Sequence, residues 1–199
     1  MADAEAVADA SVLEAAVQRG FSTDGEVFDV HHLATLAAEV CGLHAWVLHS
    51  TPVAPEAEGA AAGESARRVH SAALGDQIAC WLRLGGMAIV PYDKGDANHG
   101  PVERGGHAAH YALLVAAAPC VAKSGEEVPP AAAGTVGPAE STWVLVGVHG
   151  LSRQPLVMSP DELAASNAQL VSMKPGAGTA AWTVGEAGIR LAGRILLLR

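Results

Sequence analysis

Apolar residues recur at helical spacing in the first forty residues of the chain. From Val7 to about Gln18 they repeat every three or four positions, and Gly20 then suits a left-handed C-terminal cap. The run VHHLATLAAEVCG repeats in the same way, with Asp29 before it as an N-cap and Gly42 at its end. The pattern predicts two helices at the start of the chain.

The middle of the chain alternates between strands and one further helix. LHAWVLHS at 43–50 alternates apolar with small or polar residues, which predicts a strand. A helix is predicted over 65–84, with two glycines as its stop, and MAIVPY after it has the composition of a short buried strand. HAAHYALLVAAA has the length and apolar content of a central strand.

The last third of the chain predicts a hairpin, a capped helix and closing strands. TWVLVGVHG and PLVM flank a short polar connection, as the two strands of a hairpin do. In SPDELAASN, Ser159 caps, Pro160 fits the first helical position and Glu162 completes a capping box. AQLVSM and IRLAGRILLL are predicted as closing strands. Helices on one side followed by successive antiparallel strands indicate an α+β fold, not a doubly wound sheet.

Composition adds a domain count and excludes one class of partner. A chain of 199 residues with half of them apolar fits one domain over 1–199, interrupted by Ala/Gly/Pro-rich insertions near 51–64 and 119–141. The formal charge of −9 disfavours contact with phosphate backbones, so no nucleic-acid partner is expected.

Location is predicted from three absences in the sequence. The start MADAEAVADA lacks a secretion signal, and no segment reaches the roughly 18 apolar residues of a membrane span. Cys41, Cys80 and Cys120 lie about forty residues apart without a CxxC pair, which favours a reducing compartment. We therefore expect a soluble, cytoplasmic protein with no membrane partner.

The densest group of chemically active side chains is PYDKGDANHGPVERGGHAAHY. A general base needs a group that titrates near neutral pH on a rigid element, and His110 qualifies at the start of a buried strand. A histidine there can also serve hydrogen bonding alone. His99, His107 and His110 with Asp93 or Asp96 could form a metal site, but HxxH at a loop-to-strand junction does not place both imidazoles on one face. No Walker or GxGxxG motif occurs, and no metal or cofactor is expected.

Several motifs together resemble one family of peptidases. MAIVPYDKGDANHGPVERGGHAAHYALLV carries an apolar strand, PYD, NH, a GHxAH core and an aromatic residue in the order typical of the actin maturation protease family. GFSTDGEVFDVHHLATLAAEV is similar to the family's GxxxxGEMF helix entry, and HGLSRQPLVMSPDELAASNAQL to its HGKS turn and SN element. The resemblance implies a papain-like fold and a cysteine aminopeptidase that removes the acetylated first residue of immature actin.

When the roles of the family's site residues are assigned to the matching positions of this sequence, the resemblance implies that His110 is the general base. The third member of such a site is an Asp or Asn, whereas Ser159 stands at the matching place and Asp161, two residues on, is the candidate that remains. Because an actin N-terminus is acidic, Lys94, Arg104 and Arg153 are candidates for substrate binding, with solvated surface charge as the alternative.

The nucleophile is where the sequence departs from the family. The resemblance implies a Gly-Pro-x-Cys-Gly-like element at the start of a long first helix, and nothing in MADAEAVADASVLEA matches it. Cys41 is predicted at the wrong end of a helix for thiolate stabilisation. Cys80 is predicted inside an apolar helix as a buried core residue, and Cys120 at the edge of an insertion. Two hypotheses stay open: a sequence that lacks its nucleophile helix, or an inactive homologue that binds a partner. We expect little or no turnover by this chain alone.

Overall fold

Six antiparallel strands form one open sheet in the order β1-β6-β2-β3-β4-β5. The computed structural model describes residues 11–50, 73–96, 99–119, 143–151, 153–171 and 189–199. The strands are β1 Ala45–His49, β2 Met87–Asp93, β3 Ala109–Pro119, β4 Trp143–Val148, β5 Leu156–Met158 and β6 Arg194–Leu198. The helices are α1 (11–18), α2 Val30–Glu39, α3 (73–83) and α4 Pro160–Ala168.

Helices cover both faces of the sheet because side chains alternate along each strand. Val90 of β2 and Ile195 of β6 belong to the core that includes residues of α3 and α4. Ile89 and Leu196, one position away in each strand, belong to the core that includes residues of α2. We call these the α4 face and the α2 face. The prediction of helices on one side of the sheet was therefore wrong, while the α+β class with an antiparallel sheet is confirmed.

The predicted helix ends agree with the structure. The Asp29 side chain accepts the His31 N–H at the start of α2, and Gly20 and Gly42 have φ of 68° and 66° after α1 and α2. Both halves of the capping box at Ser159 and Glu162 are present. These local signals were readable because each depends on residues within one turn of the helix end.

Long-range pairing differs from the prediction at the end of the chain. Of AQLVSM, residues 169–171 form the turn after α4 and not a strand. Within IRLAGRILLL only Arg194–Leu198 is a strand, and it lies between β1 and β2 instead of closing an edge. The apolar content was read correctly, but its partner strands are more than a hundred residues away in the sequence.

Some predictions fall outside the part of the chain that the structure describes. The insertion near 51–64 lies outside it entirely, as does that near 119–141 except for Pro119 at the end of β3. The single-domain assignment over 1–199 stays a prediction. Among the described residues, no helix is both long enough and apolar enough to cross a membrane.

Candidate functional site

A buried carboxylate organises the loop that leads into the histidine strand. Asp93, at the end of β2, is fully buried and accepts three backbone N–H groups. Its Oδ2 binds the amides of Arg104 at 3.1 Å and Gly106 at 2.8 Å, and its Oδ1 binds that of Ala108 at 3.0 Å. One side chain thus fixes the course of the chain immediately before β3.

Two buried polar residues of helix α4, Ser166 and Asn167, bind the backbone of β2. The Asp93 N–H donates to Ser166 Oγ at 2.9 Å, and that hydroxyl lies 3.2 Å from the Asp93 carbonyl oxygen. Asn167 Nδ2 donates to the Pro91 carbonyl at 2.8 Å, while its Oδ1 accepts the Gly193 N–H at 2.8 Å. The PYD and SN motifs are therefore two halves of one contact, although they are far apart in sequence.

The glycine pair of GGHAAH is required by a close approach of the loop to the end of α4. Gly106 has φ of 77°, and a Cβ there would lie 2.2 Å from the Gln169 carbonyl oxygen. Gly105 donates its N–H to Gln169 Oε1 at 2.7 Å. Only glycine fits position 106 without moving backbone.

Tyr92 and His99 connect the far end of the same loop to the sheet. The Tyr92 hydroxyl donates to the His99 carbonyl at 2.8 Å, and His99 has φ of 56°, which is uncommon for a residue with a side chain. Burial raises the pKa of Tyr92 to about 12, so its hydroxyl remains a donor at neutral pH. His99 of the NH motif is thus tied to the end of β2.

Three imidazole rings meet where β3 begins and β4 ends. His149 follows β4 and is buried, with its ring centroid 5.7 Å from that of His110 and 5.5 Å from that of His99. His110 also lies edge-on to Tyr92 at 5.9 Å. Nε2 of His110 and Nδ1 of His99 are buried, and neither has a hydrogen-bond partner among the residues that the structure describes. We call His99, His110 and His149 the imidazole cluster.

Burial keeps two of these imidazoles neutral at physiological pH. It lowers the pKa of His110, and the charges of His149, Lys94 and His99 lower it further. Burial, followed by His99 and Lys94, also lowers the pKa of His149. The Leu151 N–H approaches His149 Nδ1 at 3.4 Å, which favours a neutral tautomer with its proton on Nε2. A neutral base with an adjacent neutral N–H donor is what this arrangement can offer chemically.

Of the other predicted site residues, only some interact with the imidazole cluster in the described part of the chain. Lys94 is near enough to influence two of its histidines. The Arg104 guanidinium pairs with Asp96 at the exposed surface, and Arg153 is exposed between β4 and β5. Asp161 lies in the first turn of α4, and its buried Oδ1 has no hydrogen-bond partner within the described ranges. The contacts of the described residues include none between Asp161 and His110.

Neither described cysteine is buried. Cys41 follows the C-cap of α2 and is exposed, as is Cys80 on α3, so the prediction of Cys80 as a core residue was wrong. Cys80 faces outward because Ile78 and Ala79 take the buried positions of that turn. Cys120 lies outside the described residues. Among those residues no group of three His, Cys, Asp or Glu side chains has the arrangement of a metal site.

A cavity of about 370 Å³ opens next to the imidazole cluster. Its walls are formed by β2, β3 and β4 and are largely apolar, apart from the ring of His149 and the side chain of Tyr111. The lining residues are Ile89, Tyr111, Ala112, Leu113, Val148, His149 and Gly150. A group bound there would contact His149, which in turn touches His110.

His149 is the principal side chain of this region that sequence reasoning did not select. The available signal was its place directly after the apolar run of β4, in the HG that opens the predicted turn. Asp93 was considered only as a metal ligand, whereas its carboxylate is occupied by backbone amides. Both roles depend on contacts between segments that the sequence does not place side by side.

Comparisons with known proteins identify relatives of this chain. The sequence profile described as "Actin maturation protease-like, C-terminal domain" matches residues 60–118. A protein named "Actin maturation protease" from Xenopus tropicalis is 33% identical over 104 residues, covering 52% of this chain and 28% of the relative. The human protein of that name is 31% identical over 102 residues, covering 51% and 24%. That of Drosophila melanogaster is 26% identical over 160 residues, covering 80% and 45%.

These matches therefore span less than half the length of each relative. No solved structure matches the chain significantly. The profile match includes Asp93, the loop after it and His110, which are the residues whose contacts are described above. The chain is thus similar to the C-terminal domain of actin maturation protease-like proteins over residues 60–118, and to proteins named actin maturation protease over about half its length.

Proposed function

We propose that this chain supplies the general base of a papain-like cysteine aminopeptidase that removes the acetylated first residue of immature actin. The observation that carries the proposal is His110, a half-buried histidine at the start of β3 whose lowered pKa leaves it neutral. The relatives are named as actin maturation proteases, which supports the substrate. A cytoplasmic location is part of the proposal.

The proposed chemistry uses His110 as the acceptor of a thiol proton. The resulting thiolate attacks the carbonyl carbon of the first peptide bond, and the protonated imidazole returns the proton to the leaving amine. Water then hydrolyses the thioester and releases the acetylated residue. Neither Cys41 nor Cys80 has a described contact with His110, so the proposal assigns the nucleophile to neither.

His149 fits the role of a second group in the same reaction. Its Nε2–H lies in the imidazole cluster beside the base and at the wall of the apolar cavity. A neutral donor in such a place can stabilise the negative charge that develops on a carbonyl oxygen. Asp161 stays a candidate for orienting His110, and its unpartnered Oδ1 is compatible with a contact made only when substrate is bound.

Lys94 is the best placed of the three cations proposed to bind an acidic actin N-terminus. It adjoins the imidazole cluster, whereas Arg104 already pairs with Asp96. We expect Lys94→Glu to weaken binding of an acidic actin peptide more than Arg153→Glu does, as measured by fluorescence anisotropy. Unchanged binding in Lys94→Glu, Arg104→Glu and Arg153→Glu would remove all three from the proposal.

The decisive experiment compares two histidines of the same GHAAH motif. The product of the native gene, captured from its own cells, is incubated with an N-acetylated actin peptide, and loss of the first residue is followed by mass spectrometry. Replacing His110 by Gln should lower the rate by about 10²-fold or more, the usual contribution of a general base. His107→Gln is the matched control, since His107 is exposed in the loop. Equal trimming by both variants would refute the assignment.

A binding function without catalysis is the second candidate. It is favoured by the absence of any described contact between His110 and Cys41 or Cys80. In that case the captured gene product binds the peptide and leaves it intact, and His110→Gln changes affinity but no rate. Removal of the first peptide residue that depends on His110 would support the peptidase function over the binding function.

A further inference from the structure

Two arginines and two histidines gather on the α2 face, away from the imidazole cluster. His31 is in the first turn of α2, His49 ends β1, and Arg194 begins β6 directly opposite His49. Arg190 precedes β6 and is bridged to the residue before α2. We call His31, His49, Arg190 and Arg194 the cationic cluster. None of these four residues has a part in the proposed peptidase chemistry.

The groups of the cationic cluster interact with one another. The His31 and His49 rings lie 5.7 Å apart between centroids. The charges of Arg190, His49 and Arg194 all act to lower the pKa of His31, although burial is the largest cause and Asp29 opposes them. Four groups that can carry positive charge therefore share one region of a chain whose formal net charge is −9.

Asp29 is the carboxylate that faces this cluster, and both of its oxygens are engaged. Oδ1 accepts the His31 N–H at 2.8 Å as the N-cap of α2, and Oδ2 lies 3.4 Å from Arg190 Nη1. Tyr111, behind it, has its pKa raised by burial and by Asp29 and stays neutral. Among the described residues, the two arginines and Asp29 alone leave this region with one uncompensated positive charge.

Arg194 shows most directly that an acceptor is missing. Its Nη1 donates to the Ala192 carbonyl at 3.3 Å, but its Nε is buried and has no hydrogen-bond partner in the described part of the chain. An unpartnered buried guanidinium N–H costs free energy, and a small movement of this half-buried side chain would let a carboxylate bind it through two parallel N–H···O bonds. Among the residues that the structure describes, the exposed His49 and the half-exposed Arg190 leave the approach from solvent open.

We propose that the cationic cluster is a binding site for a carboxylate side chain of an acidic peptide, held by Arg194 and Arg190 with His31 and His49 beside them. A carboxylate, with one negative charge, balances the single excess positive charge, whereas a phosphate dianion would require a histidine to be protonated as well. The inference does not depend on the peptidase proposal, because it uses none of the imidazole cluster.

Binding through this site should take up protons. An anion beside His31 opposes the arginine charges and raises its pKa, so the complex binds protons that the free protein does not. Affinity should therefore increase as the pH falls, by up to about tenfold between pH 8 and pH 6 if one histidine pKa rises by about one unit. The imidazole NMR signals report the change in pKa of each histidine separately.

The test is an NMR titration of the 199-residue chain with an acetylated, amidated Asp-Glu-Asp-Glu peptide, with the Asn-Gln-Asn-Gln peptide as a neutral control. We expect the acidic peptide to shift the imidazole signals of His31 and His49 and to raise the pKa of His31, while the neutral peptide does neither. Arg194→Gln should weaken binding at least tenfold. His49→Gln, at an exposed position, tests the site in case Arg194→Gln fails to fold, and should also weaken binding.

Arg83→Gln is the matched control, since Arg83 is an exposed arginine on α3, which packs on the α4 face. It should bind the acidic peptide as the unmodified chain does. The proposal is overturned if the acidic peptide shifts only His110 and His149, or if Arg194→Gln and His49→Gln bind it unchanged. It is also overturned if inorganic phosphate shifts the imidazole signals of His31 and His49 at a tenfold lower concentration than the peptide does. The cluster would then be a phosphate-binding site.

Discussion

At the scale of single residues, Asp93 has the largest expected effect on stability. Asp93→Asn keeps the shape of the side chain but replaces one acceptor oxygen by an NH₂ group that faces backbone donors. We expect the free energy of unfolding to fall by about 2–4 kcal/mol, because buried N–H groups lose a charged acceptor. Urea denaturation followed by circular dichroism measures the loss.

The control for this change is Asp96→Asn, three positions away. Asp96 is exposed and pairs only with the side chain of Arg104 among its described contacts, so its replacement should leave the midpoint of denaturation nearly unchanged. If both variants lose stability equally, the three amides do not depend on the Asp93 carboxylate and the loop is held in another way.

The imidazole cluster makes stability depend on pH in a defined direction. His110 and His149 have folded-state pKa values below the ordinary 6.5, so between those lowered values and about pH 6.5 the unfolded chain binds more protons than the folded chain. Stability should be complete above pH 6.5 and fall as the pH decreases through this window. Replacing both histidines by Gln should flatten the dependence, as followed by urea denaturation from pH 5 to pH 7.5.

The pair of exposed histidines His44 and His107 provides the comparison. Replacing both by Gln controls for the loss of two imidazoles outside the imidazole cluster, and the expected outcome is a larger flattening in the variant that lacks His110 and His149. A slope that survives the loss of His110 and His149 would place its origin in other groups, of which His31 is a candidate because its pKa is lowered too.

At the scale of elements, α4 and the loop before β3 depend on each other. Gly106→Ala would place a methyl group against the Gln169 carbonyl and strain a backbone with positive φ. We expect a loss of about 2–4 kcal/mol in the free energy of unfolding. Gly150→Ala is the matched control, since nothing lies within 4 Å of a Cβ built there. Equal stability of the two variants would mean that the loop can move away from α4.

Elements with local signals could be predicted from the sequence, and their assembly could not. The capping box of α4 and the glycine after α2 were readable because they involve residues a few positions apart. The contact of Asn167 with Pro91 joins segments 76 residues apart, and no periodicity predicts it. For the same reason His110 was selected from its motif, whereas His149 required knowledge that β3 pairs with β4.

At the scale of the whole molecule, β6 is the strand on which both cores depend. Ile195 faces the core with α3 and α4, Leu196 faces the core with α2, and both are fully buried. We expect Ile195→Ala and Leu196→Ala each to lower the free energy of unfolding by about 2–5 kcal/mol through lost burial and cavity formation. Leu84→Ala should change it by no more than about 0.5 kcal/mol, because Leu84 is 61% exposed. Thermal and urea denaturation of the three variants would show whether both faces of β6 contribute.

The pairing of β1 has a consequence for how the protein is made. β1 forms its described strand pairing with β6, and His49 and Arg194 stand opposite each other although 145 positions separate them in the chain. While the ribosome is still translating the middle of the protein, β1 therefore has no partner strand and presents Trp46 and Leu48 to the surroundings. Until β6 emerges, the nascent chain has an unpaired edge that a chaperone would have to shield, and the cationic cluster cannot exist, because its arginines arrive with the same late segment.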